Sequence, residues 1–391
     1  MYIITPLYHI PMKIYFVSLP SNGKLRLNNW MLGTIQVCES MGHVTATFDA
    51  DGNRTFGTNI MKMDLSRPVD WDVIIIDKVE TKTDLAKEYT KIIKNIQPDA
   101  IIIGTENYTK SLGDAVVDAL PDIDVFIDGF AEPVMPGILD VAFNSRFDQA
   151  PGTLHKYDGI IERKPFEADG LDPFYFPIPA YDSVNMSIYL NSMCEPPGDY
   201  KKAKKRVMNV LWMRGTYRAT PERAVEQASA LRNMYAIDEI IIDDDDFLGS
   251  PSWVKVFLKV WNDNSLYRYL GFTAKTISWP ADDALLWSLR ESGCRRLEIG
   301  GNIGVEFNAD IIHNIVDELR HNLIPEWDIT FKLDDMTTAI DLASFCKHEN
   351  IKCKTIIPST IIGDEKLKLL GLQNLIHHDK FDDVISYNIW A

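Results

Sequence analysis

The chain has 391 residues, 46% of them apolar and 25% charged, with 56 acidic against 40 basic side chains and a formal charge of −16. That length allows two or three domains with large cores, and the acidic balance argues against a broad phosphate-binding face, so nucleic acid is not an expected partner. No apolar run reaches the roughly 18 residues that a bilayer span needs.

Along the chain, residues 1–12 read as a short extension that lacks the basic start of a signal peptide. "KIYFVSLP" (13–20) reads as a buried strand, "WMLGTIQVCESMGHV" as a helix closed at Gly42, and "HVTATFDADG" as a second strand. "DVIIID" (72–77) has the β-branched run of a strand covered on both faces. An amphipathic helix stopped at Pro98, the strand "DAIIIGT", the helix "SLGDAVVDALP" and the strand "IDVFIDG" follow. This alternation predicts a doubly wound parallel sheet in a first domain, residues 1–145. Ligands of such sheets sit beyond the carboxyl ends of the strands. The candidate binding residues there are Thr105 and Asn107 in "TENYTKS" and Gly129 in "DGFAEP".

Residues 146–205 are rich in Pro, Gly and aromatics with little periodicity, and read as an ordered connector. From Arg206 the alternation restarts. "RVMNVLWM" reads as a strand and "TPERAVEQASALRNMY" as a helix with Thr220 as N-cap and Pro221 at its first position. Five more strands follow: "IDEIIID", "YLGFTAKT", "RRLEIGG", "WDITFKL" and "KCKTIIP". The α/β pattern over 206–391 predicts a partial or full β/α barrel, with its polar chemistry in the loops after each strand.

Those loops hold Arg214, Tyr217 and Arg218, then Asp243 to Asp246, Lys275, Asn302, and finally Lys332, Asp334 and Asp335. Asp244, Asp246 and Asp334 are candidate ligands for Mg²⁺ or Ca²⁺ through oxygen. Asp244, Asp246, Lys275 and Lys332 are candidate acid–base groups. Gly300, Gly301 and Asn302 could let backbone approach a phosphate or adenosine group. The competing readings are a cap, an ordinary ion pair and a tight turn. The five cysteines, Cys38, Cys194, Cys294, Cys346 and Cys353, are odd in number and scattered, which fits reduced thiols in the cytoplasm. Cys346, beside His348, reads as a packed helix residue.

"MGHVTATFDAD", "PDAIIIGT", "HKYDGIIERKPFEADGLDPFYFPIPAYD", "YRATPERAVEQASALRNMYAIDEIIIDDDDF" and "DDALLWSLRESGCRRLEIGG" occur in that order. In this order they resemble the cobalamin-binding-domain radical SAM enzymes, over nearly the whole chain. The resemblance implies a cobalamin-binding-like first domain, a radical SAM-like barrel, and SAM, cobalamin and a [4Fe–4S] cluster as cofactors. In that family a Cys-x3-Cys-x2-Cys loop stands between the first barrel strand and its helix. Here "MNVLWMRG" runs straight into "TYRATPE", and no cysteine lies between Cys194 and Cys294. Three thiolates are needed to hold the cluster while the fourth iron meets SAM. "GGNIG" also puts Asn302 where the family commonly has a glutamate. The expectation is therefore a degenerate member without the cluster, serving as a non-radical ligand-binding or partner subunit, the partner being an active paralogue or a biosynthetic enzyme. The alternatives are a cluster-free enzyme using the barrel mouth and a structural protein that keeps only the fold.

Overall fold

The computed structural model describes residues 11–20, 27–52, 61–62, 65–67, 69–106, 112–142, 146–166, 176–192, 206–214, 217–244, 246–277, 283–301, 309–322, 324, 326–332, 348, 353–358 and 384–389. Most of Leu25–Ser192 makes one compact unit and most of Ala219–Ala391 another. No helix among the described residues is long and apolar enough to cross a membrane.

The N-terminal unit is built on strands β1 (Lys13–Ser18), β2 (Val44–Asp49), β3 (Val73–Asp77), β4 (Ile101–Thr105) and β5 (Val125–Ile127), all parallel. They form because their runs are β-branched and buried: all five residues of β3 are out of solvent. Helices α1 (Asn29–Ser40), α2 (Thr83–Ile96), α3 (Asp114–Ala119) and α4 (Ala131–Ala142) fall between or after them. The Asn28 side chain caps α1 by accepting from the Met31 amide at 3.1 Å. Past the end of α1, Gly42 takes φ +88°, where a side chain would be strained.

The strand order is β2-β1-β3-β4-β5, so the direction of winding reverses between β1 and β3. The sheet does not end at β5. Strands β6 (Thr153–Tyr157) and β7 (Ile160–Lys164) form an antiparallel hairpin that pairs onto β5. The hairpin lies within residues 146–205, read from the sequence as an ordered connector without assigned strands: a polar edge hairpin carries little period-2 signal, because only its inner strand faces the core. It is followed by α5 (Met186–Ser192). "DGFAEP", read as a loop, also differs: α4 begins at Ala131, directly after the Gly129 turn.

The C-terminal unit carries β8 (Val207–Val210), β11 (Glu239–Ile242), β12 (Gly271–Thr276), β13 (Cys294–Gly301), β14 (Glu326–Lys332) and β15 (Cys353–Pro358), parallel and in sequence order. β16 (Val384–Ile389), not foreseen in the sequence, runs antiparallel on β15. Among the described residues β8 and β16 are the two edges of this seven-stranded sheet. Its described helices are α6 (Pro221–Tyr235), α7 (Pro251–Asp263), α8 (Asp283–Glu291) and α9 (Ala309–His321). Thr220 caps α6 as expected, its Oγ1 accepting from the Arg223 amide at 3.2 Å. The first barrel strand is shorter than expected. β8 stops at Val210, and the two-residue strands β9 (Met213–Arg214) and β10 (Tyr217–Arg218) pair as a hairpin before α6.

Candidate functional site

Each sheet has a carboxyl edge where a ligand would be expected, and the residues found there differ in kind.

In the C-terminal unit, Trp212 and Ala219 lie after the first barrel strand. Trp212 is fully buried and donates its Nε1 to Gln227 at 2.9 Å. Ala219 returns its amide to the Trp212 carbonyl at 2.8 Å, and the Ala219 carbonyl accepts from Trp253 Nε1 at 2.8 Å. Asp244, at the end of β11 and fully buried, accepts the amides of Trp212 and Met213 on one oxygen, at 2.7 and 2.9 Å. Trp212 and Ala219 are thus tied to each other, and Trp212 and Met213 to Asp244 after the next strand.

The aspartate run after β11 is spent on its neighbours. Asp243 accepts from Asn209 at 2.5 Å, and Asp246 accepts from the Thr276 hydroxyl at 2.7 Å and the Ile277 amide at 3.1 Å. Asp244 therefore bonds toward the β8 side of β11, and Asp246 toward the β12 side. No group of three His, Cys, Asp or Glu able to hold a metal occurs among the described residues. Lys275 lies half-buried within β12. Gly300 and Gly301 are the last residues of β13, paired with Thr330 and Phe331 of β14 rather than forming a free loop. Lys332 ends β14. Asn107, Asn302, Asp334 and Cys346 lie outside the described residues. Cys294 opens β13 at its amino end, the far end from a barrel mouth, and burial pushes its thiol up to about 12. Cys38 is buried within α1 of the other unit.

In the N-terminal unit, the switch point between β1 and β3 gathers acid. Asp77 ends β3 and is buried; Asn28 donates to its Oδ2 and also reaches Ser18 Oγ at 3.4 Å. Lys78, in a left-handed turn at φ +63°, gives its ammonium to the Leu19 carbonyl at 2.6 Å and stands 3.6 Å from Asp51. Asp49, at the end of β2, accepts from Tyr189 of α5 at 2.5 Å. Glu106 binds the loop after β3, accepting from the Glu80 amide at 2.6 Å and the Thr81 hydroxyl at 2.5 Å. Gly129 follows Asp128, which accepts from the Leu112 amide and pairs with Arg163 of β7. Thr105 is buried beside a cavity of about 10 Å³ that Asp77 also lines, room for one water-sized occupant.

Burial pushes Asp77 up to about 6 and the Glu106 charge adds to that, while Lys78 and the Asn28 hydrogen bond oppose it. Burial also raises Asp49, against the Tyr189 hydrogen bond. Because the folded pKa of Asp77 lies above its ordinary 3.8, ionising it disfavours the folded state. The cost is absent below about pH 4, grows through pH 4–6 and is complete above. Asp77→Asn, which cannot ionise, should raise stability by up to about 3 kcal/mol at pH 8 and about half that at pH 5. Urea unfolding at the two pH values checks this; an equal change at both would show that the charge is not the cause.

Sequence reading placed ligand chemistry in strand-end loops but missed Asp77 and its partner Asn28. The available signal was an aspartate closing a run of four apolar residues in "DVIIID".

No protein-family model matches the chain, and no curated protein does. Solved structures do. One is the radical S-adenosylmethionine methyltransferase TsrM from Kitasatospora setae with tryptophan substrate and the SAM analogue aza-SAM bound. It is 13% identical at a TM-score of 0.66, over 85% of this chain and 71% of that one. The same enzyme with cobalamin and a [4Fe–4S] cluster bound gives 13% and 0.65, over 86% and 70%. The apo form of OxsB, a cobalamin-dependent S-adenosylmethionine radical enzyme, gives 13% and 0.67, over 93% of this chain and 56% of that one. The chain has the fold of the cobalamin-dependent radical SAM enzymes.

Those TsrM structures hold aza-SAM, cobalamin and a [4Fe–4S] cluster, and this chain's described residues can be set against the last two. Among the described residues nothing fits the cluster: the sequence from Leu211 to Thr220 contains no thiol, the Trp212 and Met213 amides are taken up by Asp244, and the described free thiols, Cys38 and Cys294, lie elsewhere. Cobalamin carries a phosphate in its nucleotide tail. The described edge of the N-terminal sheet carries Asp49, Asp51, Asp77 and Glu106 with the Lys78 ammonium among them, which makes no cationic cradle for such an anion.

Proposed function

We propose that this chain is a non-radical protein on the cobalamin-dependent radical SAM fold, a ligand-binding or partner subunit that carries no [4Fe–4S] cluster. The observation that supports this is the segment between β8 and α6. It has no cysteine, and its Trp212 and Met213 amides are held by Asp244 rather than left to face a ligand. A cluster needs thiolates that converge on it. Without one there is no electron donor for reductive cleavage of SAM, and radical chemistry is not assigned to this protein. The partner would be an enzyme that retains the cluster, or a small molecule held at one of the sheet edges. A cytoplasmic setting accords with an odd number of scattered cysteines.

The test is SAM cleavage. After anaerobic treatment with iron and sulfide, then dithionite and SAM, the protein should form no 5′-deoxyadenosine above a protein-free control. Formation of 5′-deoxyadenosine with turnover would overturn the proposal.

A further inference from the structure

Four large aromatic side chains stand exposed among the described residues, and three of them, Tyr267, Tyr269 and Trp287, belong to the C-terminal unit, at 41, 44 and 51% exposure. They share one edge of it. Tyr267 lies in the 3-10 turn Leu266–Arg268 and Tyr269 follows directly, ahead of β12. Trp287 is on α8, whose end leads through Gly293 into β13. The two segments adjoin: a Cβ on Gly293 would stand 3.7 Å from the Tyr267 carbonyl oxygen. These turns from helix to strand fall at the amino ends of the strands, opposite the carboxyl edge where ligands of such sheets bind. Leu266 and Leu270 are buried on either side, so packing of the turn itself holds Tyr267, Arg268 and Tyr269 at the surface.

Each ring carries an arginine. The Arg268 guanidinium lies 5.6 Å from the Tyr267 ring centre, and its Nε donates to the Tyr267 hydroxyl oxygen at 3.2 Å. Arg290 stands 4.8 Å over Trp287, and Arg232 of α6 5.6 Å over Tyr269. A guanidinium laid on a ring keeps its remaining N–H donors in a fixed fork. Arg232 spends donors on the Ile237 carbonyl at 2.6 Å and on Asp238 at 3.5 Å, and Arg290 meets Glu291 at 3.9 Å. Arg268 is exposed, and its partner among the described residues is Tyr267, not a carboxylate. Exposed Tyr, Trp and Arg together have the composition of interface centres rather than of ordinary protein surface.

Charge selects the occupant. Arginine forks match carboxylates two N–H to two oxygens. A second copy of this chain, meeting across a two-fold axis, would set Arg268 and Arg290 among their own duplicates. A nucleic acid would bring a long run of phosphates under the repulsion of a chain whose formal charge is −16. Carboxylates confined to a short protein segment escape most of that repulsion.

We propose that Tyr267, Arg268, Tyr269, Trp287 and Arg290, at the amino edge of the C-terminal sheet, form a docking surface for an acidic segment of a protein partner. The surface gives chemistry to the partner subunit reading and rests on it for the existence of a partner. It uses no residue between β8 and α6, so its failure would leave the absence of the cluster untouched.

The probe is a labelled copolymer of glutamate and tyrosine, titrated with the full chain at low salt and followed by fluorescence anisotropy. The wild type should bind it. Arg268→Ala, Arg290→Ala and Trp287→Ala should each weaken binding about tenfold, as truncation of an interface anchor does. Lys156→Ala, an exposed cation of the other unit, should leave it unchanged. Arg268→Ala removes only exposed side chain, so the test stands even if Trp287→Ala fails to fold. No binding by the wild type, or equal binding by Arg268→Ala and Arg290→Ala, would overturn the proposal. So would tighter binding of labelled poly(dT) that the arginine variants abolish, which would assign the surface to nucleic acid. Dimerisation in sedimentation that the same variants abolish would overturn it too, in favour of a second copy of this chain.

Discussion

Phe257→Ala is expected to destabilise the C-terminal unit by about 3–5 kcal/mol, the range for removing a fully buried aromatic ring. Phe257 on α7 is at the centre of an aromatic cluster. Its ring is stacked on Trp253 at 5.3 Å with an interplanar angle of 8°, and lies 5.3 Å from Trp212, 5.4 Å from Trp261, 5.7 Å from Phe247 and 6.0 Å from Phe272. Side chains this large and interlocked cannot collapse into the space left by the ring, so the cavity persists and the loss sits at the upper end of large-to-small changes. Trp212 would lose support as well, and with it the segment between β8 and α6. Chemical denaturation measures the loss; a cost below about 1 kcal/mol would mean the cluster is not packed as described.

Asp244→Ala should cost a similar amount, about 3–5 kcal/mol, by a different route. The carboxylate is fully buried and accepts two backbone amides. Removing it leaves the buried Trp212 amide and the part-buried Met213 amide without that acceptor, and each such orphan costs about 1–3 kcal/mol. Asp246→Ala should cost less, because Asp246 is partly exposed and water can replace it for Thr276 and Ile277. The comparison also bears on the aspartate run as a metal site. If Asp244 is a structural clamp, its loss should lower unfolding free energy equally with and without Mg²⁺. A wild-type protein that Mg²⁺ stabilises, through Asp244 and Asp246 together, would restore the metal reading.

Where side-chain periodicity is strong, the fold was legible in the sequence. The parallel strands of both units announce themselves as β-branched runs such as "VIIID" and "EIII", and Thr220-Pro221 marks the start of α6 by capping chemistry. The hairpin β6–β7 was not legible, because its pairing partner β5 is remote in sequence and its outer strand is polar. β16 was missed for the same reason: an antiparallel edge strand depends on β15 rather than on local pattern. Of the site, the missing cysteine loop could be seen directly. The roles of Asp243, Asp244 and Asp246 could not, because a run of carboxylates looks the same whether it faces a cation or backbone and side-chain donors. Asp77 was hidden at the end of an apolar strand; its burial depends on α1 and on Asn28, 49 residues away in sequence.

The central claim is that no iron–sulfur cluster assembles on this chain, and metal and sulfide analysis after anaerobic reconstitution tests it most directly. The account predicts iron and acid-labile sulfide at background after desalting, with no charge-transfer absorption in the visible. About four irons and four sulfides per chain would contradict it.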